Sequence, residues 1–280
     1  MIRMLTSDKC RSGIVDACSK MIDAIVREIE ELRIYPRLNS YRDLVLLALL
    51  DKIVTTSRAV LTLVRSGFPD EAYGLSRTAI EAFFSLKYIE NKDSEARAKR
   101  YLEYFGKDRE HLMGLIAKHH PHLAYARSPD YDQLMSMAKQ FKSPHKWFSE
   151  PSLKEVAYEK STWAVNEFGD PQQWEYTYDI VYKLASHEVH ATSVALETRI
   201  ADFLENSRYP PAFTFSEQAP EENGDNAAFN AALHSYAAVE HTFHAFDMAV
   251  PQEIRDEFQK WQRIVSVLPN PPAAGPSPAP

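Results

Sequence analysis

The residues best placed for chemistry sit four apart on helical stretches. Residues 73–89 hold only three charged side chains, Arg77, Glu81 and Lys87, with apolar residues all round them. A helix of that composition is normally central and buried. Arg77 and Glu81 share a face, and Tyr88 follows on it two turns beyond Glu81. A charge inside a core must be paired, so the spacing predicts a buried Arg77/Glu81 ion pair. Two roles fit: an internal salt bridge that fixes helix register, or a polar pocket in which Arg77 holds an anion or a substrate carboxylate.

A second set lies about a hundred residues on. Tyr182, Ser186 and His190 recur at four-residue intervals, with Asp179 and Lys183 beside them. At 100° per residue, Tyr178, Tyr182, Ala185, Val189, Leu196 and Phe203 form a core-facing stripe. Asp179, Lys183, Ser186, His190 and Glu197 form a neighbouring polar one. The polar stripe is either a solvated face or a seam against the Arg77/Glu81 helix. Ser186 and His190 can touch as nucleophile and base, but the i+4 geometry supplies no oxyanion hole.

Histidines raise metal binding as a third chemistry. His187-x-x-His190 and His241-x-x-His244 put imidazoles on adjacent turns, and His234 lies near His241 in angle, with Glu240 close by. Carboxylate-bridged bundle metals use Glu-x-x-His pairs, and the sequence has none, so no metal or other cofactor is expected. The chain also lacks a glycine-rich phosphate loop and a Gly-x-Ser-x-Gly elbow.

The elements that must carry these residues are helices. Only 8 glycines in 280 residues argue against an all-β chain, and 45% hydrophobic residues suffice for a sizeable core. Apolar residues at helical spacing predict a first helix over residues 14–34, stopped at Tyr35-Pro36. A second covers about 40–66, a third 69–90 with Pro69 at its start, and a fourth 94–120. Prolines 129, 144 and 151 punctuate a region of short helices. Asp170-Pro171 opens a long helix to about residue 206.

The fold class expected is all-α: an up-and-down bundle with additional short helices and a C-terminal hairpin. Residues 1–208 are expected as the bundle domain, 209–225 as a proline- and glutamate-rich linker, 226–268 as the hairpin and 269–280 as a tail that can bury nothing. The hairpin's apolar side, with Phe229, Leu233, Tyr236, Phe243, Phe258, Trp261, Ile264 and Val265, is free to dock on the bundle or on a second copy, so a homo-oligomer is one expectation. The net charge of −7 is mixed and lacks the basic excess of proteins that coat long nucleic acids. The longest apolar run, residues 44–50, is far short of the roughly 20 residues that span a bilayer. Without a signal peptide, Cys10 and Cys18 read as thiols in a cytoplasmic protein. Eight residues apart on one helix, they lie about 12 Å from each other, too far for a disulfide.

Arg77-x-x-x-Glu81, then Tyr88, Arg97 and Arg100-Tyr101, then Tyr182-x-x-x-Ser186-x-x-x-His190, resembles a bacterial helical family catalogued only as a domain of unknown function. The resemblance spans about residues 61–193. It implies an all-helical fold with paired Arg-Glu and Ser-His patterns, no assigned reaction, and Ser186 and His190 turned inward. A weaker resemblance is to HEPN-type helical proteins, common among toxin and defence ribonucleases, in which an Arg a few residues before a His steadies phosphate during acid–base catalysis. Lys183 stands where that Arg is expected, ahead of His190, and Lys lacks the bidentate fork.

The leading functional expectation is thus a cytosolic bacterial binding or interaction module. Arg77, Glu81, Tyr88 and Tyr182 would line its pocket for a small ligand or protein partner. The alternative is a HEPN-like ribonuclease or nucleotide-acting defence protein with His190, Lys183 and Ser186 as catalytic residues, the one case in which RNA is a partner. A purely structural ion-pair core is the third.

Overall fold

A computed structural model describes residues 8–119, 136, 152–159, 171–189 and 221–266. Helix α1 (Asp8–Leu32) begins before the first predicted turn and buries Ile14, Cys18, Met21, Ile22 and Ile25. It ends where Arg33 turns to a positive φ of 47°, just ahead of Pro36. Helix α2 (Tyr41–Arg65) starts on Ser40, whose Oγ accepts the Asp43 amide. Glu95 accepts two more of its first-turn amides, from Tyr41 and Arg42. Gly67, at φ 81°, makes the bend to α3 (Pro69–Asn91), a left-handed conformation that glycine adopts without a Cβ clash.

Helix α4 (Ser94–His119) follows after one short turn. Helix α5 (Leu153–Tyr158) is closed by a reciprocal cap between Ser152 and Glu155. The predicted long helix after Pro171 is not uniform. It runs as α6 (Pro171–Tyr176), a π-helical turn π1 (Thr177–Tyr182) and α7 (Lys183–Val189). Its predicted extension toward residue 206 lies outside the described residues. An extra residue per turn shifts the register, so stepping by 100° fails across it. Val189, expected in the core stripe with Tyr182 and Ala185, is exposed, although Ala185 one turn earlier on α7 is buried.

Helix α8 (Glu221–Ala245) starts within the stretch expected to be linker. Gly224 lies in its first turn, where an added Cβ would sit 3.2 Å from Pro69 Cβ and 3.3 Å from a Val64 methyl. Close approach explains the glycine, and Ala227, Ala228, Ala231, Ala232, Ala237 and Ala238 continue the small buried surface. Helices α2, α3 and α8 pack on one another as the centre of the molecule, and α1 lies against α2 and α8. Helix α9 (Gln252–Ser266) covers α1.

The apolar side of the α8–α9 hairpin is spent within the chain. Leu233, Tyr236, Phe243, Phe258 and Trp261 are buried, Tyr236 stacks on Phe258 at 3.7 Å, and Trp261 Nε1 donates to Cys18 Sγ at 3.3 Å. Of the two docking alternatives, the bundle therefore takes this surface. The all-α expectation holds, with no strand among the described residues.

Candidate functional site

The side of α3 that faces π1 carries the first constellation. Arg77 Nε donates to Glu81 Oε1 at 3.0 Å, and the Tyr182 hydroxyl donates to the same oxygen at 2.7 Å. The guanidinium carbon lies 5.1 Å from the Tyr182 ring centre. Tyr178 stacks on the far side of that seam, 5.2 Å from Tyr182 with rings 12° from parallel. The π turn aims both tyrosines, four apart, at α3.

This pair is not buried as predicted. The side chains of Arg77 and Glu81 remain 22% and 40% exposed. Among the described residues the seam has α3 on one side and π1–α7 on the other, and the carboxylate is open to water. Burial opposes the Arg77 charge, but Glu81 and Tyr182 more than offset it and hold the guanidinium pKa above its ordinary value. The Tyr182 hydroxyl is pushed up to about 12 by burial and by donation to Glu81, so it stays a donor.

The other predicted members scatter. Ser186 Oγ donates to the Tyr182 carbonyl at 2.7 Å, so it braces its own helix one turn back. Lys183 is 54% exposed and paired with Asp179 at 2.9 Å. Asp179 also accepts from the Tyr158 hydroxyl, which ties α5 to π1. His190 lies outside the described residues. Tyr88 belongs elsewhere: Arg97 sits 3.6 Å above its ring and donates to its carbonyl.

Tyr88 marks a second polar region at the C-terminal end of α3, which sequence reasoning missed. Lys87, 1% exposed, donates from Nζ to the carbonyls of Ala157 at 2.6 Å and Glu159 at 3.0 Å, capping the C-terminus of α5. Burial lowers its pKa to about 8, against the pull of Glu159. Glu159 in turn accepts from Asn91 at 2.7 Å and from Arg97 at 2.8 Å. Although burial opposes its charge, those donors hold its carboxyl below the usual range.

One turn further, Glu90 reaches two imidazoles of α8. Its oxygens lie 3.0 Å from His241 Nδ1 and 2.9 Å from His244 Nδ1. Burial pushes the His241 pKa down, against the Glu90 hydrogen bond, and the charges of Lys87 and His244 push it the same way. His234, seven residues earlier and fully buried, gives Nδ1–H to the Asn230 carbonyl at 2.6 Å and falls to about 4. Phe83 stands edge-on to both rings, at 5.4 Å and 5.7 Å. The one sequence signal was that Lys87 has Phe83 and Asn91, not an acid, at i−4 and i+4.

Among the described residues, no group of three or more His, Cys, Asp or Glu side chains could hold a metal ion, and no helix is long and apolar enough to cross a membrane. A family described as of unknown function (DUF5677) matches the chain over residues 43–208, which takes in α2, α3, π1 and α7. Comparison with curated proteins and with solved structures gives no match.

Proposed function

We propose that this chain, which belongs to the family of unknown function DUF5677, is a cytosolic bacterial binding module whose ligand site is the seam between α3 and π1–α7. The ligand is a small molecule bearing a carboxylate or phosphate. The supporting observation is that Arg77 and Tyr182 converge on one oxygen, Glu81 Oε1, while both members of the ion pair stay open to solvent.

A half-exposed pair of this kind contributes only about 0–1 kcal/mol to stability. The ordered arrangement around it, including a π turn, therefore exceeds what a structural strut requires, and π turns are frequent at binding sites. Arg77 supplies a planar donor for an anion. Glu81 orients Arg77 and can accept from a donor on the same ligand, and the face of Tyr182 keeps the guanidinium from swinging away.

The test is a thermal-shift titration with orthophosphate, adenosine monophosphate and succinate as probes. At least one probe raises the melting temperature of the wild-type chain, and Arg77→Ala loses the response while staying folded. If no probe raises it, or if Arg77→Ala responds like the wild type, the anion-binding reading fails.

A further inference from the structure

The ion pair at the seam carries two charges, and its acid is the more open of them. The Glu81 side chain is 40% exposed, against 22% for Arg77. Arg77 Nε and the Tyr182 hydroxyl both donate to Oε1, so neither of these bonds falls on Oε2. An ionised carboxylate is an acceptor only, with lone pairs for about four hydrogen bonds. Among the described residues, the protein supplies Glu81 with donors on one oxygen alone.

This arrangement opposes a ligand that is only an anion. Four positions apart on α3, the two charged groups sit one turn from each other, about 6 Å along the axis. An anion drawn to Arg77 lies at a comparable distance from Glu81, and by Coulomb's law the second charge cancels most of the pull of the first. The charges beside the seam do not tip the balance. Asp179 of π1 and Lys183 of α7 pair with each other at 2.9 Å, and Lys87, further along α3, is bonded to the carbonyls at the end of α5. A pair of opposite charges is best matched by a ligand that carries the same pair reversed.

On the reading that the seam is the ligand site, we propose that its ligand is a small amino acid zwitterion, with its carboxylate on Arg77 and its ammonium on Glu81. The guanidinium takes the carboxylate through N–H groups other than Nε, which is turned to Glu81. The ammonium donates to Glu81 Oε2 and completes a carboxylate that Arg77 and Tyr182 satisfy on Oε1. By holding Oε1 in the seam, those two side chains preorganise the acid that receives the ammonium.

Titration calorimetry at pH 7 compares each zwitterion with the carboxylate that lacks only its ammonium: glycine with acetate, β-alanine with propionate, γ-aminobutyrate with butyrate. For at least one pair, the amino acid binds the wild-type chain about tenfold more tightly, the gain expected from one added charge-assisted contact. Glu81→Gln keeps an acceptor for Arg77 and Tyr182 and removes the charge. It reverses the order, so the plain carboxylates gain affinity and the amino acids lose it. Arg77→Ala abolishes the binding of both. Plain carboxylates that bind the wild type as tightly as their amino acids, with both lost in Arg77→Ala, overturn the zwitterion and leave the anion-binding reading in place. A folded Glu81→Gln that keeps the preference for the amino acid also overturns it. If neither set binds, the anion-binding reading itself fails, and the zwitterion with it. Should Glu81→Gln not fold, the wild-type pairs decide.

Discussion

The middle and the C-terminal end of α3 solve the same problem in opposite ways. Near its middle, Arg77 and Glu81 meet Tyr182 in a seam that water reaches. At its C-terminal end, 13 residues and about 20 Å further along, Lys87 and Glu90 are almost wholly removed from water and are satisfied by carbonyls of the α5 end and imidazoles of α8. Charge in the wet seam costs little and is free to meet a ligand. Charge in the dry cluster is costly unless every polar partner is in place. The first region is therefore suited to recognition and the second to holding three helices together.

Breaking the dry cluster has the largest expected effect. Glu90→Ala strands the Nδ1–H of buried His241 and removes the buried carboxylate that ties α3 to two imidazoles of α8. The cost is about 3–5 kcal/mol, read as a lowered urea midpoint with an unchanged m-value. A cost under about 1 kcal/mol would make the two regions of α3 energetically alike and remove the contrast.

Acid sharpens the same contrast from another side. The unfolded chain protonates His234 near 6.5 and the folded chain at about 4. Between those values the unfolded state holds more protons, so stability falls as the pH drops through that window and is fully present above it. At about 1.4 kcal/mol per pH unit, the loss across the window is about 3 kcal/mol. His241, shifted the same way, adds to it. His234→Gln, which keeps a donor for the Asn230 carbonyl, removes its share, so urea midpoints at pH 7 and pH 4.5 lie closer together than in the wild type. An unchanged gap would show that His234 is hydrated in the folded chain.

How much of this the sequence disclosed follows the range of the interactions. Helix ends were legible because they depend on neighbours: Gly67 and Pro69 break α2 from α3 within one residue of the expected places. The contact of Arg77, Glu81 and Tyr182 is also legible, since i+4 spacing is local and the family pattern joins the two helices. Their exposure is not legible in the same way. An apolar helix says that its charges are costly to bury, not which one is buried, and the buried one is Lys87. Glu90 and His241 are 151 positions apart, and no periodicity reports such a pairing. The start of α8 reads as linker for a similar reason: glutamate and glycine at its first turn look like coil until Val64 and Pro69 arrive against Gly224.

The smallest expected effect is also the one that separates the seam from the solvent-facing side of the same helix. Lys183→Ala removes an exposed partner of Asp179, but Asp179 keeps the Tyr158 hydroxyl, the main cause of its carboxyl lying below the ordinary range. No resolvable change in the urea midpoint is expected, and the response to an anionic probe at Arg77 is expected to persist. An RNA-acting enzyme predicts otherwise, because Lys183 would then steady phosphate beside His190, and its loss would abolish any toxicity of expression. If Lys183→Ala instead weakens the anion response as strongly as Arg77→Ala does, the two faces of π1–α7 act as one site. Recognition would then extend over the outer surface of the helix, beyond the seam where Glu81 and Tyr182 hold Arg77.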